Sequence, residues 1–425
     1  MRVIIIGNSA TMVGAVESLR QYDQVAEILV FSEEPHGIYS RPLLDHYLAG
    51  HIDQARVLYR PNEFYTKHNV KPLLSTQVAA IHPEAHEIVT ALGESYAYDK
   101  LLIATGGAPI VPPLAGLDAK GVYTFTRLDD SKGILCELKD GHVQDAIVVG
   151  GGMIGIKATD ALMKRGARVT MVELAPRILS AALDETGAGL LARLLADAGV
   201  TVLTENTLTA VHNQDGRIVS VDLKDGRNIP CQLLVFGIGV RPNAGLAKEA
   251  SIQVNRGIVV DQFMRTTAPD VYAAGDVAEA YDLVVDMNRT VAIWPNAYRQ
   301  GAIAGAHMAG VERPDRGGVA MNVVEVCGTT GMAVGNANVV GPEYEVLAAL
   351  DERGRTYKRL VLKEGRLVGA ILIGDVSRAG IYTGLIRNKI NVASARDRLL
   401  SKHFGLVSLP DDYRKHLVTG QGIEV

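Results

Sequence analysis

Two separate segments of this chain read as a buried strand, a glycine turn and a helix, and a chain carrying that arrangement twice is committed to two parallel βαβ units. The second segment is Ala146-Ile-Val-Val-Gly150-Gly-Gly152-Met153-Ile154-Gly155. Here Gly150 permits the tight turn, Gly152 lets the backbone approach a pyrophosphate, and Gly155 lets the helix pack close to the strand. The helix N-terminus then offers free N–H groups and the positive end of its dipole to phosphates. Glu173 lies 18 residues after Gly155, at the end of the next strand. A carboxylate there bonds both ribose hydroxyls and repels a 2′-phosphate, which favours NAD(H) over NADP(H), with Arg177 weighing the other way. The first segment is the N-terminal Val3-Ile-Ile-Ile-Gly7-Asn-Ser9-Ala10-Thr-Met12. Ser9 and Met12 stand where glycine is usual. Ser9 still leaves room for a phosphate, whereas Met12 should hold its helix slightly away from the strand. Ser32 occupies the acidic ribose position, with Glu33 and Glu34 just beyond. Taken alone, this turn leaves the binding of a second dinucleotide open.

At 425 residues the chain has room for two or three domains. Its 43 basic and 47 acidic residues are well mixed and leave a net charge of −4, which argues against a nucleic-acid partner or a basic membrane patch. The three cysteines, Cys136, Cys231 and Cys327, are too scattered for a dithiol, an iron–sulfur cluster or a zinc site, and read as reduced thiols of a cytoplasmic protein. A strand at the very start leaves no room for a signal peptide, and no apolar run is long enough to span a membrane. Strands are expected at 2–6, 27–31, 145–149 and 167–173, and helices at 10–21, 153–165, 186–198 and from Pro295 to Ala309. Past about 318 the pattern changes to short alternating strands, followed by helices near 376–389 and 392–400. A mixed, polar tail at 401–425 either packs on a partner or stands free.

Three distant segments bear on the first turn. They are Tyr98-Asp-Lys-Leu-Leu-Ile-Ala104-Thr105-Gly106-Gly-Ala-Pro109, Val235-Phe-Gly-Ile-Gly239-Val-Arg-Pro-Asn243 and Thr266-Thr-Ala-Pro-Asp-Val-Tyr-Ala-Ala-Gly275-Asp276. With the two turns, in this order, they resemble the FAD-dependent pyridine nucleotide–disulfide oxidoreductase superfamily over about residues 1–400. The resemblance implies an α/β fold: two Rossmann-like, three-layer dinucleotide-binding domains, for FAD and NAD, plus a C-terminal α+β domain. The FAD domain would comprise 1–112 and 244–315, the NAD(H) domain 113–243, and a C-terminal interface domain with its tail 316–425. It implies FAD contacts at Gly7, Ser9, Ala10, Glu33, Arg41, Pro42, Ala104, Thr105, Gly106, Gly275 and Asp276, with Val78 reaching adenine through its backbone. NAD(H) contacts would fall at Gly150, Gly152, Met153, Ile154, Gly155, Glu173 and Gly239. Trp294, the only tryptophan, either covers the flavin ring or packs in the core, and the helix beginning there aims its dipole at the flavin pyrimidine.

Within the superfamily, Tyr39-Ser-Arg41-Pro42-Leu-Leu44 is similar to NADH:rubredoxin reductases and the nitrite reductase flavin domain. Disulfide reductases carry a cysteine pair at this depth, and peroxidases a single cysteine. This chain has no cysteine between 1 and 135, so neither chemistry is expected. Relatives also place glutamate where Lys157 stands. Either Lys157 is a solvated helix lysine, or the charge pair is reversed and Lys157 faces Asp45, beside His46, at the nicotinamide. No side-chain acid or base is required, because hydride passes directly between nicotinamide and flavin. Without an internal dithiol or cluster, electrons must be exchanged with an iron–sulfur protein or iron–sulfur subunits, in a homo- or hetero-oligomer. The resemblance extends to flavin subunits of 2-oxoacid oxidoreductases such as the NADH-forming phenylglyoxylate dehydrogenase. Alternatives are a free-standing rubredoxin or ferredoxin reductase, an NADH oxidase, or a structural subunit with little catalysis.

Overall fold

The computed structural model describes residues 1–139 and 141–409. Most of the expected tail, 410–425, lies outside the described residues. Contacts group the chain into two compact units. The first comprises 1–111, 124–135 and 239–318, and the second holds the rest of the described chain.

The first unit is built on a parallel sheet in the order Val271–Ala273, Lys100–Ile103, Arg2–Ile6, Glu27–Phe31, Val70–Leu73. Its central strand is a run of β-branched residues, Val3 to Ile6, buried throughout, as a parallel strand covered on both faces requires. The helix Ala10–Tyr22 buries Met12, Val13, Val16 and Leu19, a helical spacing that turns one face to the core. Met12 is fully buried, and the closest backbone approach of this helix is to the helix Trp294–Met308 rather than to a strand. A Cβ at Gly14 would lie 2.1 Å from the Tyr298 carbonyl oxygen, and one at Gly301 would lie 2.0 Å from that of Thr11. Glycine is therefore needed where the two helices cross.

The second unit contains a sheet ordered Thr201–Leu203, Arg168–Val172, Asp145–Val149, Leu233–Phe236, completed by a short strand at Val122–Thr124. Helix Met153–Lys164 follows the glycine turn, and helix Glu185–Asp197 is N-capped by Asp184, whose carboxylate accepts from the Gly187 amide at 3.1 Å. An antiparallel sheet follows, ordered Met321–Val326, Thr329–Gly335, Arg366–Ile373, Thr356–Lys363, Glu345–Asp351. Here Val324, Val326, Ala333, Ile371 and Ile373 of this sheet share one core with Ile156, Met171 and Leu191. Two local expectations differ. The segment 392–400 is a 3₁₀ helix, Ala393–Arg398, and a helix at Leu128–Lys139 went unread because Ser131 and Gly133 interrupt its apolar pattern.

Candidate functional site

In the first unit, the first glycine turn meets the two segments that sequence placed with it. Gly7, at φ +121°, sits so close to the Ala104 carbonyl that a Cβ would lie 2.1 Å from its oxygen. That contact brings Ala104-Thr105-Gly106 onto the turn. Gly275, at φ +83°, packs against Thr11, where a Cβ would lie 2.2 Å from Oγ1, and its amide donates to Gln300 Oε1 at 2.8 Å. This brings Gly275-Asp276 to the same helix start. Ser9 is the N-cap of helix Ala10–Tyr22 yet makes no side-chain cap bond. Ile293, N-cap of the helix that Trp294 opens, makes none either. Two helix N-termini thus present amides without an internal side-chain acceptor, and a bound anion can satisfy such amides. Trp294 is half-buried and packs edge-to-face on Tyr59, ring centroids 5.1 Å apart.

Charged groups gather on the loop after the second strand. Arg41 donates to Glu34 Oε1 at 2.7 Å and to the Thr126 carbonyl at 2.6 Å, and its guanidinium lies 5.3 Å from the Tyr39 ring centroid. Burial opposes its charge, but Tyr39, Glu34 and Asp276 outweigh that and raise its pKa. Burial pushes the Asp276 carboxyl up, with Arg41 opposing. Glu33 is ion-paired with Arg127, and Ser32, at the ribose position, hydrogen-bonds the Glu34 backbone. Thr76 donates its amide to the Ser32 carbonyl at 2.7 Å, which brings the start of the strand Val78–His82 to the same end of the sheet. Arg127 was passed over by sequence reasoning, because the segment carrying it is remote from every glycine motif. Pro42 lies in the 3₁₀ turn Arg41–Leu43. Asp45 and His46 follow on the short helix Leu44–Ala49, where the His46 ring faces His51.

In the second unit, Gly150 has φ +106° and Gly155 is the tightest position, since a Cβ there would lie 1.8 Å from the Gly150 carbonyl oxygen. Gly152 is the opposite case: it is the N-cap of the helix, makes no side-chain cap bond, and has nothing within 4 Å of a Cβ. A closed turn with open space over its middle glycine is the shape a pyrophosphate needs. Glu173 accepts from the Gly151 amide and, at 2.7 Å, from that of Ala175, so its carboxylate is anchored at the turn. Met153, Ile154 and Lys157 are half-buried on the first turns of the helix. The neighbour of this turn is Gly237, where a Cβ would lie 2.7 Å from the Gly155 amide. Gly239 groups with the first unit, where its carbonyl accepts from Ile110 at 3.0 Å. Leu174, next to Glu173, is 65% exposed. Arg177 is directed to the Leu183 carbonyl at 3.3 Å.

These residues fit both dinucleotides: uncapped helix amides and glycines that tolerate no Cβ at each turn, and an anchored carboxylate at the second. A further hollow of about 680 Å³ lies at the other ends of the first unit's strands, lined by Lys100, Asp261, Arg265, Asp270, Tyr272 and His307. Its charges pair among themselves, Lys100 with Asp270 and Arg265 with Asp261. Among the described residues no cluster suits a metal ion and no helix is long and apolar enough to cross a membrane.

Comparison with known proteins agrees with this geometry. The family model for pyridine nucleotide-disulphide oxidoreductases matches residues 1–301, and that for the rubredoxin NAD+ reductase C-terminal domain matches 321–390. Nitrite reductase (NAD(P)H) of Bacillus subtilis is 31% identical over 398 residues, 92% of this chain and 48% of that protein, so the chain spans about half its length. Rubredoxin-NAD(+) reductase of Pseudomonas putida is 30% identical over 387 residues, 88% of this chain and 100% of that protein. The epsilon subunit of NADH-dependent phenylglyoxylate dehydrogenase of Aromatoleum evansii is 28% identical over 407 residues, 94% of each chain.

Proposed function

Because the chain belongs to the pyridine nucleotide-disulphide oxidoreductase family, we propose that it moves electrons between NAD(H) and a one-electron iron–sulfur partner, as the flavin subunit of a larger complex. Bound together, FAD and NAD(H) supply hydride transfer and let a two-electron donor serve one-electron acceptors. The chain's own residues bind and orient. Gly7, Ser9 and Gly275 give FAD phosphates access to backbone amides, and Asp276 with Arg41 sets the charge beside them. Gly150, Gly152 and Gly155 hold the NAD(H) pyrophosphate, and Glu173 selects a free ribose. The observation that carries the partner is the absence of any cysteine from residues 1–135, which leaves the flavin no internal dithiol to exchange with. Lys157 is proposed to tune the nicotinamide site through its charge. The relative of equal length, the phenylglyoxylate dehydrogenase subunit, favours a complex of the 2-oxoacid oxidoreductase type.

The match of residues 321–390 to the rubredoxin reductase C-terminal domain favours a second reading, a free-standing rubredoxin or ferredoxin reductase. An anaerobic NADH titration of the purified protein tests both. Bleaching of the flavin by about one equivalent is expected for a bound FAD reduced by NADH. Rapid re-oxidation by added rubredoxin or ferredoxin would select the free-standing reductase. A flavin that stays oxidised refutes both readings and leaves a structural subunit.

A further inference from the structure

The loop after Glu173 runs between the second glycine turn and the C-terminal sheet. At one end it is bound to the NAD(H) turn: Leu179 donates its amide to the Gly151 carbonyl at 2.8 Å, and Ile178 closes against Gly151, within 3.0 Å of where a Cβ would stand. At the other end it is gripped by the C-terminal sheet. Asn338 Nδ2 donates to the Ser180 carbonyl at 2.8 Å. Tyr357 donates its hydroxyl to Asp184 Oδ2 at 2.6 Å, and Arg359 Nε lies 3.5 Å from the same oxygen. Arg359 also donates to the carbonyls of Ala337 and Val339 at 2.5 and 3.0 Å, fixing the turn that presents Asn338. This guanidinium is only 5% exposed as a residue, and a buried cation is retained only when its donors are satisfied. Ile178, Leu179 and Leu183 of the loop sit in the core shared with Tyr357 and Ile373.

We propose that Asn338, Tyr357 and Arg359 are positioning residues for NAD(H): the C-terminal sheet holds the 176–184 loop, and the loop holds the pyrophosphate turn and the Glu173 carboxylate in binding geometry. The proposal rests on the reading of Gly150–Gly155 as the NAD(H) turn. Fixing a loop in its bound shape lowers the ordering cost that a ligand would otherwise meet. The C-terminal part thereby acts on cofactor affinity through the loop it holds.

The test uses the full-length holoprotein and three variants. Asn338→Asp keeps the side-chain size but removes the donor to Ser180, and Tyr357→Phe removes only the hydroxyl. Leu360→Ala is the control: Leu360 is fully buried on the same strand but points to the opposite face from Tyr357 and Arg359. Losing one such hydrogen bond should raise the NADH Kd about fivefold. Turnover at saturating NADH, with ferricyanide as acceptor, and flavin content should stay at wild-type levels in Asn338→Asp and Tyr357→Phe. Leu360→Ala should lower Tm and leave the NADH Kd unchanged. Wild-type NADH affinity in both polar variants overturns the proposal, as does a Kd in Leu360→Ala that rises with its loss of Tm. Wild-type protein that binds FAD but no NADH refutes the turn assignment itself and the proposal with it.

Discussion

Gly152 and Gly155 stand three residues apart in one turn, yet alanine should act on them through different physics. At Gly155 the new Cβ would meet the Gly150 carbonyl oxygen at 1.8 Å, and the obstacle is backbone that cannot rotate away. The helix must retreat by about 1.6 Å to reach ordinary contact at 3.4 Å, an overpacking cost of ~1–3 kcal/mol that lowers Tm by roughly 5 °C. At Gly152 the backbone has φ −79° and ψ −173°, which any residue adopts, and nothing lies within 4 Å of a Cβ. Gly152→Ala should therefore fold with wild-type Tm. Its methyl group would occupy the space proposed for the pyrophosphate and cost one charge-assisted hydrogen bond, ~1.5–3 kcal/mol, or on the order of 10- to 100-fold in NADH Kd. Differential scanning calorimetry and NADH binding at constant flavin content separate the two cases. Gly155→Ala should lose both stability and affinity, Gly152→Ala affinity alone. Unchanged NADH affinity in Gly152→Ala would refute the assignment of this turn, and a large Tm loss in it would refute the steric reasoning.

Two further outcomes follow from titrating groups in the first unit. Burial pushes the Asp276 carboxyl above its ordinary value of 3.8, with Arg41 opposing, so its favourable share in stability is complete at low pH and lost as pH rises through the raised value. In flavin-free protein Asp276→Asn should exceed wild type in Tm at pH 7, with the gap closing towards pH 4 on a scale of ordinary carboxylate titration (~4); a gap that is flat or widens on acidification contradicts this. Glu17 shows the opposite sign: burial raises its carboxyl, but hydrogen bonds from Arg60 at 3.0 Å and Tyr298 at 2.7 Å outweigh it and hold it below 4.5. Its share is present above that value and lost as pH falls, so Glu17→Gln should be less stable than wild type at neutral pH and approach it in acid unfolding.

Much of this architecture can be read from sequence because its controlling interactions are local. The strands Arg2–Ile6, Glu27–Phe31 and Asp145–Val149 coincide with the expected apolar runs, since a strand covered on both faces needs a near-continuous run of apolar residues. Gly155 is legible for a related reason: the carbonyl it packs against, that of Gly150, lies five residues back in the same turn. The same logic explains what sequence hid. Arg127 reaches Glu33 across 94 residues, and Asn338 reaches Ser180 across 158, and no spacing rule connects such positions. Ser9 and Met12 look like a degraded version of the second turn, but the comparison with Gly155 misleads. There the close approach joins helix to turn, whereas in the first unit Gly14, Gly301 and Gly305 move it to the contact between two helices. The glycines missing from the first turn therefore reappear about 290 residues later as Gly301 and Gly305, in a helix whose own N-terminus is left uncapped. The proposed first dinucleotide site would thus draw on its turn and on this second helix together, and the Gly7-Asn-Ser9 motif carries only part of it.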